Sequence, residues 1–217
     1  MRIIALLLLS FLALPAKAET SALRQALLPS YASITITHVI DGRTLAAEGG
    51  RILRLSEVYV PQHAKDTEKQ AILWLRENIM GQRVRLYITR DENRGRRNRF
   101  DYEMVHMEGN NGLWVQASLV NRGLAITLPS AFTHEMSAPL LNYEAEARAD
   151  KRGIWAETVA VLNPESVKEK TGSFQIVEGK TYSVSSKNNI IYINFTRDWR
   201  SDFTIRIRKE DRIAFSR

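Results

Sequence analysis

Cysteine is missing from all 217 residues. Its absence excludes disulfides, a lipid-modified cysteine and any cysteine metal site, so stability outside the cytosol must come from packing alone. Histidine is sparse: His38, His63, His106 and His134 are scattered and none stands at ligand spacing from another, which favours surface or strand-filling roles over a metal site. Low-complexity stretches and internal repeats are also absent. With 44% apolar residues the chain can bury one full core and has length left over, which suits one domain plus an appendage. No apolar run reaches the ~20 residues that a membrane span requires. The longest, Ile3 to Leu14, is interrupted only by Ser10 and stops at Pro15. Preceded by Met1-Arg2 and followed by Ala16-Lys17-Ala18, it reads as a secretory signal peptide over residues 1–18. The mature chain then starts at Glu19, in the periplasm or outside the cell, with no transmembrane segment; an uncleaved anchor is the other reading of that run.

The formal charge is +7, two of whose positive groups, Arg2 and Lys17, leave with the leader. Such a balance attracts polyanions such as nucleic acid or an anionic membrane surface, and it equally describes an ordinary solvated surface. One segment concentrates it. Arg90, Arg94, Arg96, Arg97 and Arg99 lie close together, diluted by Asp91 and Glu92. Arginine suits bidentate phosphate contacts. No aromatic residue precedes Phe100 to stack a base, so the loop promises phosphate attraction without base readout. A mobile, solvated connection between two strands accounts for the same residues.

Along the mature chain the pattern is that of a barrel. In Ser33 to Ile40, Ile34, Ile36 and Ile40 alternate with Thr35, Thr37 and Val39, a half-buried strand running into an Asp41-Gly42 turn. A second strand follows at Thr44 to Ala47, and a third at Ile52 to Tyr59 with Leu53 and Leu55 on one face, ending before Pro61. Asp66 to Met80 predicts a helix with an Ile72, Leu75, Ile79 stripe, stopped by Gly81. Arg83 to Thr89 and Tyr102 to Met107 are two more strands around the polar loop, and helices are expected at Val115 to Arg122 and Leu140 to Arg152, closed by Gly123 and Gly153. The fold class is mostly β with α (α+β): a five-stranded OB-type barrel with packed helices. After it, 158–172 reads as a linker, and 173–217 as a small β-rich C-terminal module with strands at Phe174 to Glu178, Thr181 to Val184, Ile190 to Phe195 and Phe203 to Ile207, and a hairpin turn at Ser186 to Asn189. Tyr192, Phe195, Trp199 and Phe203 beside Arg197, Arg200, Arg206 and Arg208 could stack and neutralise single-stranded nucleic acid, or simply form the core of a small sheet.

Several strings in this order carry a resemblance. "THVIDGRTL", "RILRLSEVYVPQ", "LRENIMGQRVRL", "GLWVQASLVNRGLA" and "YEAEARADKRGIW" resemble successive segments of the staphylococcal nuclease (thermonuclease) family over residues 33–157, with 19–32 as a lead-in. The resemblance implies hydrolysis of DNA and RNA with calcium held by two aspartates, a glutamate as general base and two arginines on the phosphate. Carried over position by position, the metal aspartates fall on Arg43 and Tyr59, the base on Gln62, and the phosphate arginines on Arg54, which is kept, and on Tyr102, with Arg99 close by. Asp41, beside the metal position, is also kept.

Calcium favours six to eight oxygen ligands, the anionic ones above all. Arg43 offers none, and an amide at Gln62 can orient a water without taking its proton. Glu57 is the one nearby carboxylate placed to substitute, although a strand residue facing solvent or the barrel rim is the expectation for it. The sequence thus leads to an exported nuclease-like module with no cofactor, calcium being lost, that binds nucleic acid, another polyanion or an envelope protein. Two other classes stay open: a nuclease with a rearranged metal site using Asp41 and Glu57, and a structural docking protein of the envelope.

Overall fold

The computed structural model describes residues 16–61, 65–156, 161–167, 175–198, 200 and 203–215. Most of the expected signal peptide, residues 1–15, lies outside them. Ala16 to Ala18 instead open a helix, α1 (Ala16–Ala26), and the lead-in continues it. Leu23 and Leu27 are fully buried in the barrel core. Arg90 closes the helix, its Nε donating to Ala26 O at 3.1 Å and its Nη2 to Gln25 O at 3.1 Å. Carbonyls at a helix end need such partners, and a cation there also suits the helix dipole.

The first strand, β1 (Leu28–Asp41), begins five residues earlier than the alternation implied. Its length is what closes the barrel: its first part pairs with one neighbour and its last part with another. β2 (Thr44–Ala47), β3 (Arg51–Leu55), the short β4 (Val58–Tyr59), α2 (Lys65–Asn78), β5 (Arg83–Ile88) and β6 (Glu103–Glu108) follow. The closed order is β1-β2-β3-β6-β5, with β3 and β6 parallel and the other pairs antiparallel. This is the connectivity expected of an OB-type barrel. Leu45, Leu53, Leu55, Val105 and Met107 fill it. A register shift in β1 between Ile36 and His38 swaps its faces, so Val39 is buried and Ile40 points outward, the reverse of simple alternation.

The expected third strand breaks in two at Ser56-Glu57, where Glu57 takes φ of 60°. β4 leaves the barrel and pairs with β7 (Ile126–Thr127). α3 (Val115–Asn121) and α4 (Ser137–Ala149) pack against each other beyond that pair. Gly123 and Gly153 seal their far ends. Both have positive φ, and a Cβ on Gly123 would lie 2.0 Å from the Arg152 carbonyl oxygen, so only glycine allows the close approach.

Within the expected linker, residues 161–167 are described, and Leu162 bridges Val177 there in place of the strand expected at 174–178. The C-terminal module is a three-stranded antiparallel sheet of order β10-β9-β8, formed by β8 (Ser183–Lys187), β9 (Ile190–Asn194) and β10 (Thr204–Ile207). β8 begins two residues later than expected and runs on to Lys187, because the hairpin turn is only the two residues Asn188-Asn189, at φ of 50° and 61°, instead of the expected Ser186 to Asn189. An ion pair of Arg148 with Glu178 ties α4 to the chain entering this sheet. Among the described residues no helix is long and apolar enough to cross a membrane.

Candidate functional site

The β1–β2 turn gathers the first set of expected site residues. Asp41 Oδ1 accepts from the Arg43 backbone N–H at 2.8 Å, an Asx turn that fixes the loop. Its Oδ2 accepts from Thr44 Oγ1 at 2.9 Å and from Arg54 Nη1 at 3.3 Å. Arg54 Nη1 also donates to Thr44 Oγ1 at 2.6 Å, because Thr44 and Arg54 are cross-strand partners of β2 and β3. The Arg43 guanidinium donates from Nη1 to Val58 O at 3.0 Å and lies 4.9 Å over the ring of Tyr59. Thus the two positions that the resemblance gives to metal aspartates touch each other as a cation–π pair.

Burial, and then repulsion from Arg54, hold Arg43 below the ordinary arginine range against the pull of Asp41 and Tyr59. Of the positions at issue Asp41 alone carries a carboxylate, and both its oxygens are engaged. Among the described residues no three His, Asp or Glu side chains converge as a metal site. The donor set does not fit calcium. It fits an anion. Arg43 and Arg54 hydrogen-bond the described protein through Nη1 and both stay partly exposed beside the turn, a pair of guanidinia of the kind that suits an oxyanion. Gln62 lies outside the described residues. Tyr102 begins the turn into β6 and contacts Phe100, with ring centroids 5.9 Å apart.

The basic loop does not act as one unit. Arg90 caps α1, and Arg97 pairs with Asp101 at 3.0 Å and Glu103 at 3.6 Å. Glu103 also accepts from Arg51 Nε at 2.7 Å. Arg96 is placed differently: Met104 N donates to Arg96 O at 2.9 Å, and Met104 is the β6 partner of Arg54. Register therefore sets Arg96 in the same cross-strand row as Arg54 and Thr44. Its Nε is buried with no hydrogen-bond partner among the described residues. Arg94 lies 5.5 Å over the ring of Phe132 and Arg99 4.7 Å over that of Phe100. Phe132, distant in sequence, is the aromatic neighbour that inspection of the loop alone missed. In the C-terminal module Phe195 packs on Phe203 at 5.7 Å, Arg200 N donates to Asp198 Oδ1 at 3.2 Å, and Trp199 lies outside the described residues.

Glu57 corrects the sequence reading. It faces neither solvent nor rim: it is 3% exposed. Oε1 accepts from His106 Nε2 and Met136 N, both at 3.1 Å, and Oε2 from Ser137 Oγ at 2.7 Å. Trp114 Nε1 donates to His106 Nδ1 at 3.3 Å, and an indole can only donate, so Nε2 carries the hydrogen given to Glu57. Burial alone would raise the Glu57 carboxyl; the bonds from His106, Ser137 and Met136 outweigh it and hold the group below the usual carboxylate range. The side chain fastens the β3–β4 turn, β6 and the start of α4 together, and its saturated oxygens leave nothing for a metal beside Asp41.

Residues 52–157 match the family model described as staphylococcal nuclease homologue. No curated protein matches the chain. The matched span runs from β3 through the turn after α4, and β1 and β2, which precede it, complete the same barrel. The chain thus carries a staphylococcal nuclease-like domain.

Proposed function

We propose that this staphylococcal nuclease-like domain is exported and binds nucleic acid, or another phosphate-rich polyanion of the envelope, without cutting it. The observation that carries the reading is the Arg43–Arg54 pair. Two guanidinia held near one another repel, and an oxyanion bound beside both relieves that repulsion while gaining charge-assisted hydrogen bonds. Arg96, on the far side of β6 in the same row, extends the positive track along a chain of phosphates. The carboxylates and general base needed to activate water are replaced, so holding a phosphate is what remains.

Binding of a fluorescent single-stranded oligonucleotide, measured by anisotropy across a salt series, tests this. Wild-type affinity should fall steeply with salt, and Arg54→Ala or Arg43→Ala should each weaken binding and flatten the log–log slope by about one phosphate contact. An affinity indifferent to salt and to both substitutions would remove the proposal.

A further inference from the structure

Phe100, Leu128 and Phe132 are 60%, 42% and 48% exposed and lie on two neighbouring loops, where apolar exposure gathers in one place. Their two loops pack on each other: a Cβ on Gly95 would come within 2.4 Å of the Phe132 carbonyl oxygen, and Arg94 covers the Phe132 ring. Each tip is held in a fixed turn. Asn98 Oδ1 accepts from Phe100 N at 2.9 Å and from Tyr102 N at 3.1 Å. Ser130 Oγ accepts from Phe132 N at 3.2 Å and from Thr133 N at 3.0 Å. The fold thus holds apolar side chains outward on ordered backbone instead of letting them fold back onto the core.

The surroundings of the rings decide between partners. A nucleobase stacks on an open aromatic face. Arg99 lies over Phe100, with Tyr102 tilted against the same ring, and Arg94 lies over Phe132. A lipid interface asks for no open face: it takes apolar rims and tips in any orientation and places arginine at the phosphate level beside them. Of the acids in this loop Glu92 is exposed, whereas Asp91 and Asp101 are engaged. Asp91 Oδ1 accepts from Asn93 N and Arg94 N, and Asp101 pairs with Arg97. We infer that the loops 91–102 and 128–133 form a docking surface for an anionic lipid bilayer. Phe100, Leu128 and Phe132 enter the headgroup–acyl boundary, and Arg94 and Arg99 meet lipid phosphates. This surface is separate from the Arg43–Arg54 pair and stands whether or not that pair binds nucleic acid.

Co-sedimentation of the full chain with phosphatidylglycerol–phosphatidylcholine vesicles, and with pure phosphatidylcholine vesicles, is the test. The wild type should partition onto the anionic vesicles and only weakly onto the neutral ones. The double change Phe100→Ser with Phe132→Ser should lower that partitioning at least about tenfold, since it removes most of the inserted apolar area. Its melting temperature should stay near wild type, because both rings are largely exposed. Arg94→Gln with Arg99→Gln should cost about fivefold per arginine on anionic vesicles. The double phenylalanine variant should keep wild-type oligonucleotide affinity, which separates this surface from the phosphate site. Absence of wild-type binding to anionic vesicles, or equal binding by the double phenylalanine variant, overturns the proposal. So does a loss of oligonucleotide affinity in that variant with vesicle binding intact, which would make the rings a base platform.

Discussion

Glu57→Ala is expected to lower folding stability by about 3–5 kcal/mol, toward the low end of the sum for three buried donors each left without an acceptor at roughly 1–3 kcal/mol. The cost arises in what remains: His106 Nε2–H, Met136 N–H and the Ser137 hydroxyl all lose their acceptor inside the protein. Glu57→Gln provides the control, because glutamine has the same shape and the same φ of 60° but keeps one acceptor oxygen and no charge. It should fall between the two. The same carboxylate makes stability depend on pH. Its folded-state pKa is lowered, so its contribution is fully present above the unfolded value of about 4.3 and is lost as pH falls through the lower folded value. Urea midpoints at pH 7 and at successively more acid pH should converge between wild type and Glu57→Gln as the carboxyl protonates. A Glu57→Ala protein as stable as wild type at pH 7 would contradict the network.

Glu57 also shows where the sequence stopped being legible. The barrel was readable because its information is local: Leu53 and Leu55 alternate within one strand, and the Ile72, Leu75, Ile79 stripe lies within one helix. The partners of Glu57 are 49 and 80 positions away, and no periodicity encodes them. A charged residue between Ser56 and Val58 reads as a surface residue until its acceptor network is seen. The partners of the basic loop are equally hidden from a local reading. Five arginines in a short span look like one patch, yet Arg90 was assigned by α1 and Arg97 by Asp101 and Glu103, while Phe132 entered from another loop. At the β1–β2 turn the sequence exposed the substitutions themselves. What it hid was that Arg43 and Tyr59 stack on one another, since that contact depends on how the break after Leu55 returns β4 to the turn.

That stack sets the other large expected effect. The combined change Arg43→Asp, Tyr59→Asp and Gln62→Glu removes the cation–π pair, places two carboxylates near Asp41 and supplies a base. If the replaced positions correspond as the resemblance implies, the triple variant should hydrolyse single-stranded DNA with calcium at ~10²-fold or more above wild type, the low end of what a positioned base contributes. Arg43→Asp alone should gain nothing measurable, because metal ligands and base act as a unit. The triple variant must first be shown to fold, since Arg43 Nη1 also bonds Val58 O. A folded but inert triple variant would mean that the barrel does not reproduce the family spacing, and activity from a single change would mean that the positions are wrongly matched.

The most direct measurement needs only the unmodified protein. A 5′-labelled single-stranded oligonucleotide is incubated with it in parallel in millimolar calcium and in excess chelator, with retention and length read from the same samples. With Arg43 and Arg54 holding phosphate in place of a metal, the fraction bound should be the same in both samples and the oligonucleotide should stay intact. Shortening of the oligonucleotide in calcium that the chelator stops, or binding that appears only with the metal, would contradict the account.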